Sequence, residues 1–81
     1  MAERIVRLVY PPTLVNVPVI HQLIRRYDVT VNLLGAEIDS QHGWVELQLS
    51  GNDSIIEEAF AWLITLGIEI HNTERKYGES E

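Results

Sequence analysis

The order of the hydrophobic patterns along the chain constrains its fold more than any other feature. Residues 5–10 are β-branched, aromatic and aliphatic, which is typical of a strand, and the Pro-Pro pair that follows ends it by removing backbone donors. Between Ile20 and Tyr27 apolar residues recur at the i, i+3, i+4 and i+7 spacing of a helix of about ten residues. We expect Asn16 to cap this helix and Pro18 to lie in its first turn.

A β-hairpin is predicted for the middle of the chain. Residues 29–40 are too rich in Val, Thr, Asn and Gly for a second helix, and they lead through His42 and Gly43 into residues 44–50. In this second hairpin strand Val and Leu alternate with Trp, Glu and Gln, so one face is buried and the other is at least partly exposed. The predicted sheet is therefore covered on one side only.

A second helix and a last strand complete the pattern. Ser54 and Glu57 fit a capping box, the helix is expected to run to Leu66, and Gly67 is expected to end it in a left-handed conformation. Residues 68–72 alternate again and are predicted to form the last strand.

The resulting order, β-α-β-β-α-β, specifies an α+β fold. Right-handed crossovers and two helices on one face give the ferredoxin-like βαββαβ sandwich, a four-stranded antiparallel sheet in the order 4-1-3-2. We expect residues 1–72 to form this single domain. Residues 73–81 are mostly charged and polar, and we expect them to form a disordered acidic tail.

Charge and cysteine content exclude several classes of function. Among 81 residues there are 12 acidic and 6 basic ones, and this net charge of −6 disfavours binding to nucleic acid or to anionic lipid. Because cysteine is absent, disulfides, thiolate-bound zinc, iron–sulfur ligation and a cysteine nucleophile are excluded. No apolar run approaches the roughly 18 residues of a membrane span, so we expect a cytoplasmic protein without membrane insertion.

The sequence contains no recognisable catalytic or metal-binding constellation. His21, His42 and His71 fall on a predicted helix, turn and strand, without i, i+4 pairing and without a carboxylate at a recognised ligand spacing. Glu57 and Glu58 are more simply explained as favourable charges near a helix N-terminus than as an acid–base pair. We therefore predict a non-catalytic protein with no cofactor and no metal.

Two features indicate an interaction surface. The apolar residues of the second helix cover an arc of about 200°, wider than the roughly 100° of a one-sided surface helix. Either the first helix covers one flank of that arc or part of it is left for a partner. Residues 31–34 place apolar groups on both faces of a strand that the predicted order puts at a sheet edge, where pairing with another chain is favoured. The alternative is that Leu33 or Leu34 is merely half-buried.

The order and spacing of four motifs resemble one known family. The motifs are Val6-Arg7-Leu8-Val9-Tyr10-Pro11, Asn16-x-Pro18-x-Ile20 followed by Leu23-Ile24, Val31-Asn32-Leu33-Leu34, and Ala59-Phe60-Ala61-Trp62-Leu63 before a short strand. Over residues 3–72 the chain resembles the NIL domain, whose Asn-Ile-Leu signature corresponds here to Asn32-Leu33-Leu34. NIL domains typically lie at the C-terminus of the ATPase of bacterial methionine importers, where paired domains bind methionine and restrain transport. Others are fused to a ferredoxin-type iron–sulfur module.

This resemblance implies a free-standing regulatory domain that senses an amino acid, with methionine favoured. The ligand-contacting Asn of the importer domain maps onto Asn32, whose carboxamide offers two donors and an acceptor to an α-carboxylate or α-ammonium group. We expect Leu33, Leu34 and Ile38 to line an apolar slot for a thioether side chain. Without a fused ATPase, the domain would reach a transporter or a sulfur-metabolism protein by docking.

A homodimer is also expected, with Val31, Asn32, Leu33 and Leu34 at its interface. A chain of 81 residues has a marginal core, and the resemblance implies a paired state. The sequence does not decide on which face of the sheet Asn32 lies. Counting back from Glu37 as an exposed residue puts Asn32 on the helix side, whereas a bulge at Gly35 reverses this.

Two other functions remain open from the sequence. One is a protein-interaction module that has kept the fold and binds no small ligand. The other is an ACT-type regulatory domain, which shares the topology and amino-acid binding but is not supported by the ordered motifs quoted above.

Overall fold

The computed structural model describes residues 1–73 and contains four strands and two helices in the expected order. The elements are β1 (Ala2–Tyr10), a 3-10 turn (Pro12–Leu14), α1 (Val19–Arg26), β2 (Val29–Ile38), β3 (Gly43–Gly51), α2 (Asp53–Thr65) and β4 (Glu69–Asn72). Apart from Thr73, whose amide donates to the carbonyl of Ile5 (3.1 Å), the predicted disordered tail lies outside the described residues.

The four strands form one antiparallel sheet in the order β2-β3-β1-β4. This is the predicted 4-1-3-2 order read from the other edge, so the ferredoxin-like topology is confirmed. The central strands β1 and β3 pair along their whole length, from Ala2 opposite Gly51 to Tyr10 opposite Gly43. The edge strand β4 pairs with β1 over its four residues only.

The hydrophobic core lies between one face of the sheet and the two helices. Alternate residues of the central strands point into it because successive strand side chains face opposite sides. The core residues of the strands and helices belong to one cluster, and its fully buried members include Val6, Leu8, Val19, Leu23, Leu47, Leu49, Ile56 and Leu63. Burial of each large aliphatic side chain contributes about 1.5–3 kcal/mol to folding. The opposite face of the sheet, called the open face below, is covered by neither of the two helices of residues 1–73.

Both predicted helix caps are wrong in detail. The N-cap of α1 is Pro18 with no side-chain hydrogen bond, so Asn16 does not cap this helix. At α2 the carboxamide oxygen of Asn52 accepts from the amide (2.9 Å) and the hydroxyl (2.6 Å) of Ser54. Ser54 is therefore bonded to the cap rather than being the cap. Glu57, the expected partner in a capping box, bonds to Arg4 instead (2.8 Å).

The structure also shows how α2 ends and what covers part of its wide apolar arc. Gly67 has φ +94°, in the left-handed region that glycine adopts without steric cost, and it follows the last turn as predicted. On the flank of the arc, Trp62 is half-buried against Tyr27, with ring centroids 6.1 Å apart. The segment at the end of α1 therefore covers one flank, whereas Ile64 stays 59% exposed. Within the described chain, no helix has the length and apolar character needed to cross a membrane.

Candidate functional site: the free edge of β2

A β-bulge in β2 decides which way the predicted site residues face. Asn32 lies opposite Gln48 and Leu33 opposite Leu47, but the register then shifts and Gly35 lies opposite Glu46. Leu34 is the extra residue, without a partner in the register. The strand therefore contains the bulge that Gly35 indicated in the sequence.

The bulge places Asn32 on the open face of the sheet. Directly paired residues share a face, and Leu47 belongs to the core, so Leu33 lies on the helix side and its neighbour Asn32 on the other. Leu33 and Ile38 are five positions apart and would face opposite sides of a regular strand. Because of the extra residue, both lie on the helix side.

An apolar groove of about 380 Å³ runs between β2, α1 and the segment that precedes α1. Its outer wall carries large exposed side chains, with Leu33 60%, Ile38 51% and Ile24 50% exposed. Val31 lines the groove from the same strand. Tyr10 lies at its inner end, where burial raises the pKa of the phenol above its ordinary value of 10.0, so the hydroxyl stays protonated at neutral pH.

The structure brings only part of the predicted ligand site together. Leu33 and Ile38 share the groove with Val31, whereas Asn32 lies on the opposite face and Leu34 does not line the groove. The side chain of Asn32 is exposed and has no hydrogen-bond partner among residues 1–73. Because Asn32 and Leu33 are adjacent on an edge strand, both remain within reach of a molecule lying along that edge.

The open face contains a cluster of side chains from three strands that the sequence did not indicate. The guanidinium of Arg7 lies over the indole ring of Trp44, 4.0 Å from its centroid, and 3.8 Å from a carboxylate oxygen of Glu46. The indole Nε1–H donates to Glu37 (3.3 Å). The strand alternation was the only available signal, and it shows which residues share a face but not which of them meet across strands.

Beside this cluster the open face has a shallow depression of about 580 Å³ at the junction of β1 and β4. Arg7, Val9, Glu46 and His71 line it, with Asn72 and Thr73 at its end. Glu46 is only 7% exposed, which is unusual for a carboxylate, and the Arg7 guanidinium beside it supplies an opposite charge. Nowhere in residues 1–73 do three or more metal-ligating side chains come together.

Comparison with known proteins identifies the family. The sequence model of the NIL domain matches residues 4–72. No curated protein matches the chain. Among solved structures, the C-terminal domain of an ABC transporter ATP-binding protein from Enterococcus faecalis matches with a TM-score of 0.76 and 25% sequence identity, over 90% of this chain and 86% of that one. Since the family match spans almost the whole described domain, the chain belongs to the NIL domain family.

Proposed function

We propose that this protein is a non-catalytic regulatory domain that binds an amino acid, with methionine favoured, at the free edge of β2. Its family and its structural similarity to the C-terminal domain of a transporter ATP-binding protein support a regulatory role. The corresponding partner is a transporter or a sulfur-metabolism protein in the cytoplasm.

The observation that carries this proposal is the combination of a strand edge with which no strand of residues 1–73 pairs and an apolar groove beside that edge. At about 380 Å³ the groove lies near the small end of the range for ligand pockets, roughly 300–1,000 Å³. Its lining is dominated by aliphatic side chains, which suit an unbranched thioether better than a charged or strongly polar side chain. The groove therefore favours an apolar amino acid, and methionine is favoured among these because the resemblance to the NIL family implies it.

The edge can hold the polar end of the same ligand. An edge strand presents unpaired backbone N–H and C=O groups, which complement an α-carboxylate and an α-ammonium group. Asn32 adds a carboxamide from the open face, while Leu33 and Ile38 contact the side chain from the groove. A ligand lying along the edge thus uses both faces of β2, although Asn32 and Leu33 point in opposite directions.

Dimerisation through Val31, Asn32, Leu33 and Leu34 belongs to the same proposal. Two copies of β2 lying edge to edge cover the exposed Leu33 side chains, and the backbone groups that this contact leaves unpaired hold a ligand shared between the two copies. The charge of −6 on each copy opposes pairing, but it is screened beyond about 8 Å at physiological salt.

Calorimetry with methionine tests the ligand. We expect saturable heat with the full chain and loss of most of it in Asn32→Ala, because no other described side chain replaces that carboxamide at the edge. Asn72→Ala is the matched control, since it removes the same side chain from the other edge strand. It should bind methionine like the unchanged protein.

The rival function is a protein-interaction module that binds no small ligand. The exposed Leu33, Ile38 and Ile24 favour it, because an apolar patch beside a free strand edge can be covered by a protein partner alone. Absence of heat at millimolar methionine would favour this rival. Equal binding by Asn32→Ala and the unchanged protein would remove Asn32 from the site.

A further inference from the structure

The open face of the sheet carries an excess of negative charge. Every strand contributes a glutamate to it, and the four are Glu3, Glu37, Glu46 and Glu69. Arg7 is the only arginine or lysine that faces this side among residues 1–73. Arg7 is already engaged, since it lies over Trp44 and beside Glu46.

The strand register arranges two of these glutamates around an apolar centre. Across the sheet, Glu37 lies opposite Trp44, Trp44 opposite Val9, and Val9 opposite Glu69. This row therefore has a carboxylate on each edge strand and two half-buried apolar side chains between them. Glu37 accepts from the uncharged indole N–H of Trp44, and Glu69 contacts the imidazole of His71 (3.2 Å). Neither carboxylate meets an arginine or lysine within the described chain.

The length of this row matches a short extended peptide. Neighbouring strands are about 4.8 Å apart, so three strand spacings separate Glu37 from Glu69 by about 14 Å. In an extended peptide at about 3.4 Å per residue, side chains at i and i+4 share a face and are also about 14 Å apart. The side chain at i+2 lies midway between them, above Trp44 and Val9.

We propose that the open face docks an extended basic segment of a partner protein, with Lys or Arg at i and i+4 and an apolar residue at i+2. The basic side chains pair with Glu37 and Glu69, and the apolar one packs on Trp44 and Val9. Charge complementarity selects this occupant, because a second copy of the chain or a nucleic acid would bring further negative charge to the face. The site uses no residue of the groove at β2 and does not depend on amino-acid binding.

A titration of the full chain with a capped peptide containing Lys-Thr-Leu-Thr-Lys tests this directly. The two tryptophans provide an internal control, because Trp44 lies on the open face and Trp62 on the helix side. We expect a saturable NMR shift of the Trp44 indole N–H and no shift of Trp62. A permuted peptide, Lys-Lys-Leu-Thr-Thr, has the same composition but the wrong spacing and should bind several-fold more weakly.

Charge-neutralising variants locate the contact. We expect Glu37→Gln and Glu69→Gln each to weaken peptide binding about two- to fivefold, the range of an exposed ion pair, with a smaller effect at high salt. Glutamine keeps an acceptor oxygen for Trp44, so the face itself is preserved. Glu58→Gln is the matched control, since it removes the same charge from the exposed surface of α2 and should change nothing.

Three results would overturn the proposal. The first is no saturable shift of Trp44 at millimolar peptide in low salt. The second is an equal loss of binding in Glu58→Gln, which would show that only net charge matters. The third is binding seen only in an Arg75→Gln/Lys76→Gln variant, because the occupant would then be the chain's own basic pair.

Discussion

The two edge strands of the sheet differ in length and in the side chains that they present to a neighbouring chain. β4 is four residues long, its side chains on the open face are Glu69 and His71, and the carboxamide of Asn72 accepts from Arg4 of the adjacent strand (3.4 Å). β2 is ten residues long, contains a bulge, and exposes Leu33 and Ile38 over more than half of their surfaces.

This difference shows which edge strand is protected against pairing with another chain. A short edge strand with charged side chains offers little to pair with, which is a common way of preventing association. A long apolar edge instead favours pairing with another chain. Because of the bulge, Leu33 and Ile38 both lie on the helix side of β2, where both are exposed. We therefore expect another strand to pair edge to edge with β2 and not with β4.

The largest expected effect is on the free energy of unfolding, and it differs between the centre of the sheet and its β2 edge. Leu33 and Leu47 are the same residue type, lie directly opposite each other, and differ in exposure, 60% against 0%. Leu47→Ala should cost about 2–5 kcal/mol of unfolding free energy, because it leaves a cavity in the core. Leu33→Ala should cost less than about 1 kcal/mol. Urea denaturation followed by circular dichroism measures both.

The two unfolding free energies show whether Leu33 belongs to the core or to an interaction surface. If both leucines cost the same, Leu33 would be a part of the core and its exposure would need no partner. A small cost for Leu33 alone, together with weaker association or ligand binding, is the result that the comparison of the two edges predicts.

Two variants, each with a lysine introduced on one edge strand, test which edge forms the contact between copies of the chain. Leu33→Lys should weaken self-association at least about tenfold, since a charge would have to be buried between two paired β2 strands. His71→Lys, which puts the same side chain on β4, should leave association unchanged. Sedimentation across a concentration series measures the dimer fraction. Loss of the dimer only in His71→Lys would move the interface to the other edge.

The smallest expected effect concerns the turn that ends β2. The backbone N–H groups of Gln41 (2.8 Å) and His42 (2.7 Å) donate to a carboxylate oxygen of Asp39, and these bonds lower the pKa of that carboxyl below its ordinary 3.8. Because the folded pKa is depressed, the stabilisation is present above about pH 3.8 and is lost as the pH falls through the folded pKa.

Asp39→Asn isolates this contribution, since asparagine keeps an acceptor oxygen but does not titrate. We expect the urea midpoint of the unchanged protein to fall relative to that of Asp39→Asn as the pH is lowered below about 3.8 and through the depressed folded pKa. Parallel curves for the two proteins would show that the turn does not depend on the charge of Asp39.

Local patterns were sufficient to predict the fold. Alternation between residues 44 and 50, the helical spacing from Ile20 to Tyr27 and the left-handed Gly67 each depend on a few neighbouring residues, so they can be identified without tertiary contacts. The strand order then followed from general rules of connection. The caps were the local features that failed, because Asn52 and Ser54 are both good capping residues and lie two positions apart.

The candidate site could be predicted only in part. The sequence alone placed residues 31–34 on an edge strand and marked Gly35 as a possible bulge, but it left the facing of Asn32 open. The tertiary structure decided this through the register of β2 against β3, because one extra residue in a strand reverses every side chain beyond it. It also decided the row from Glu37 to Glu69, since contacts between strands depend on residues that are far apart in sequence and meet only when the sheet forms.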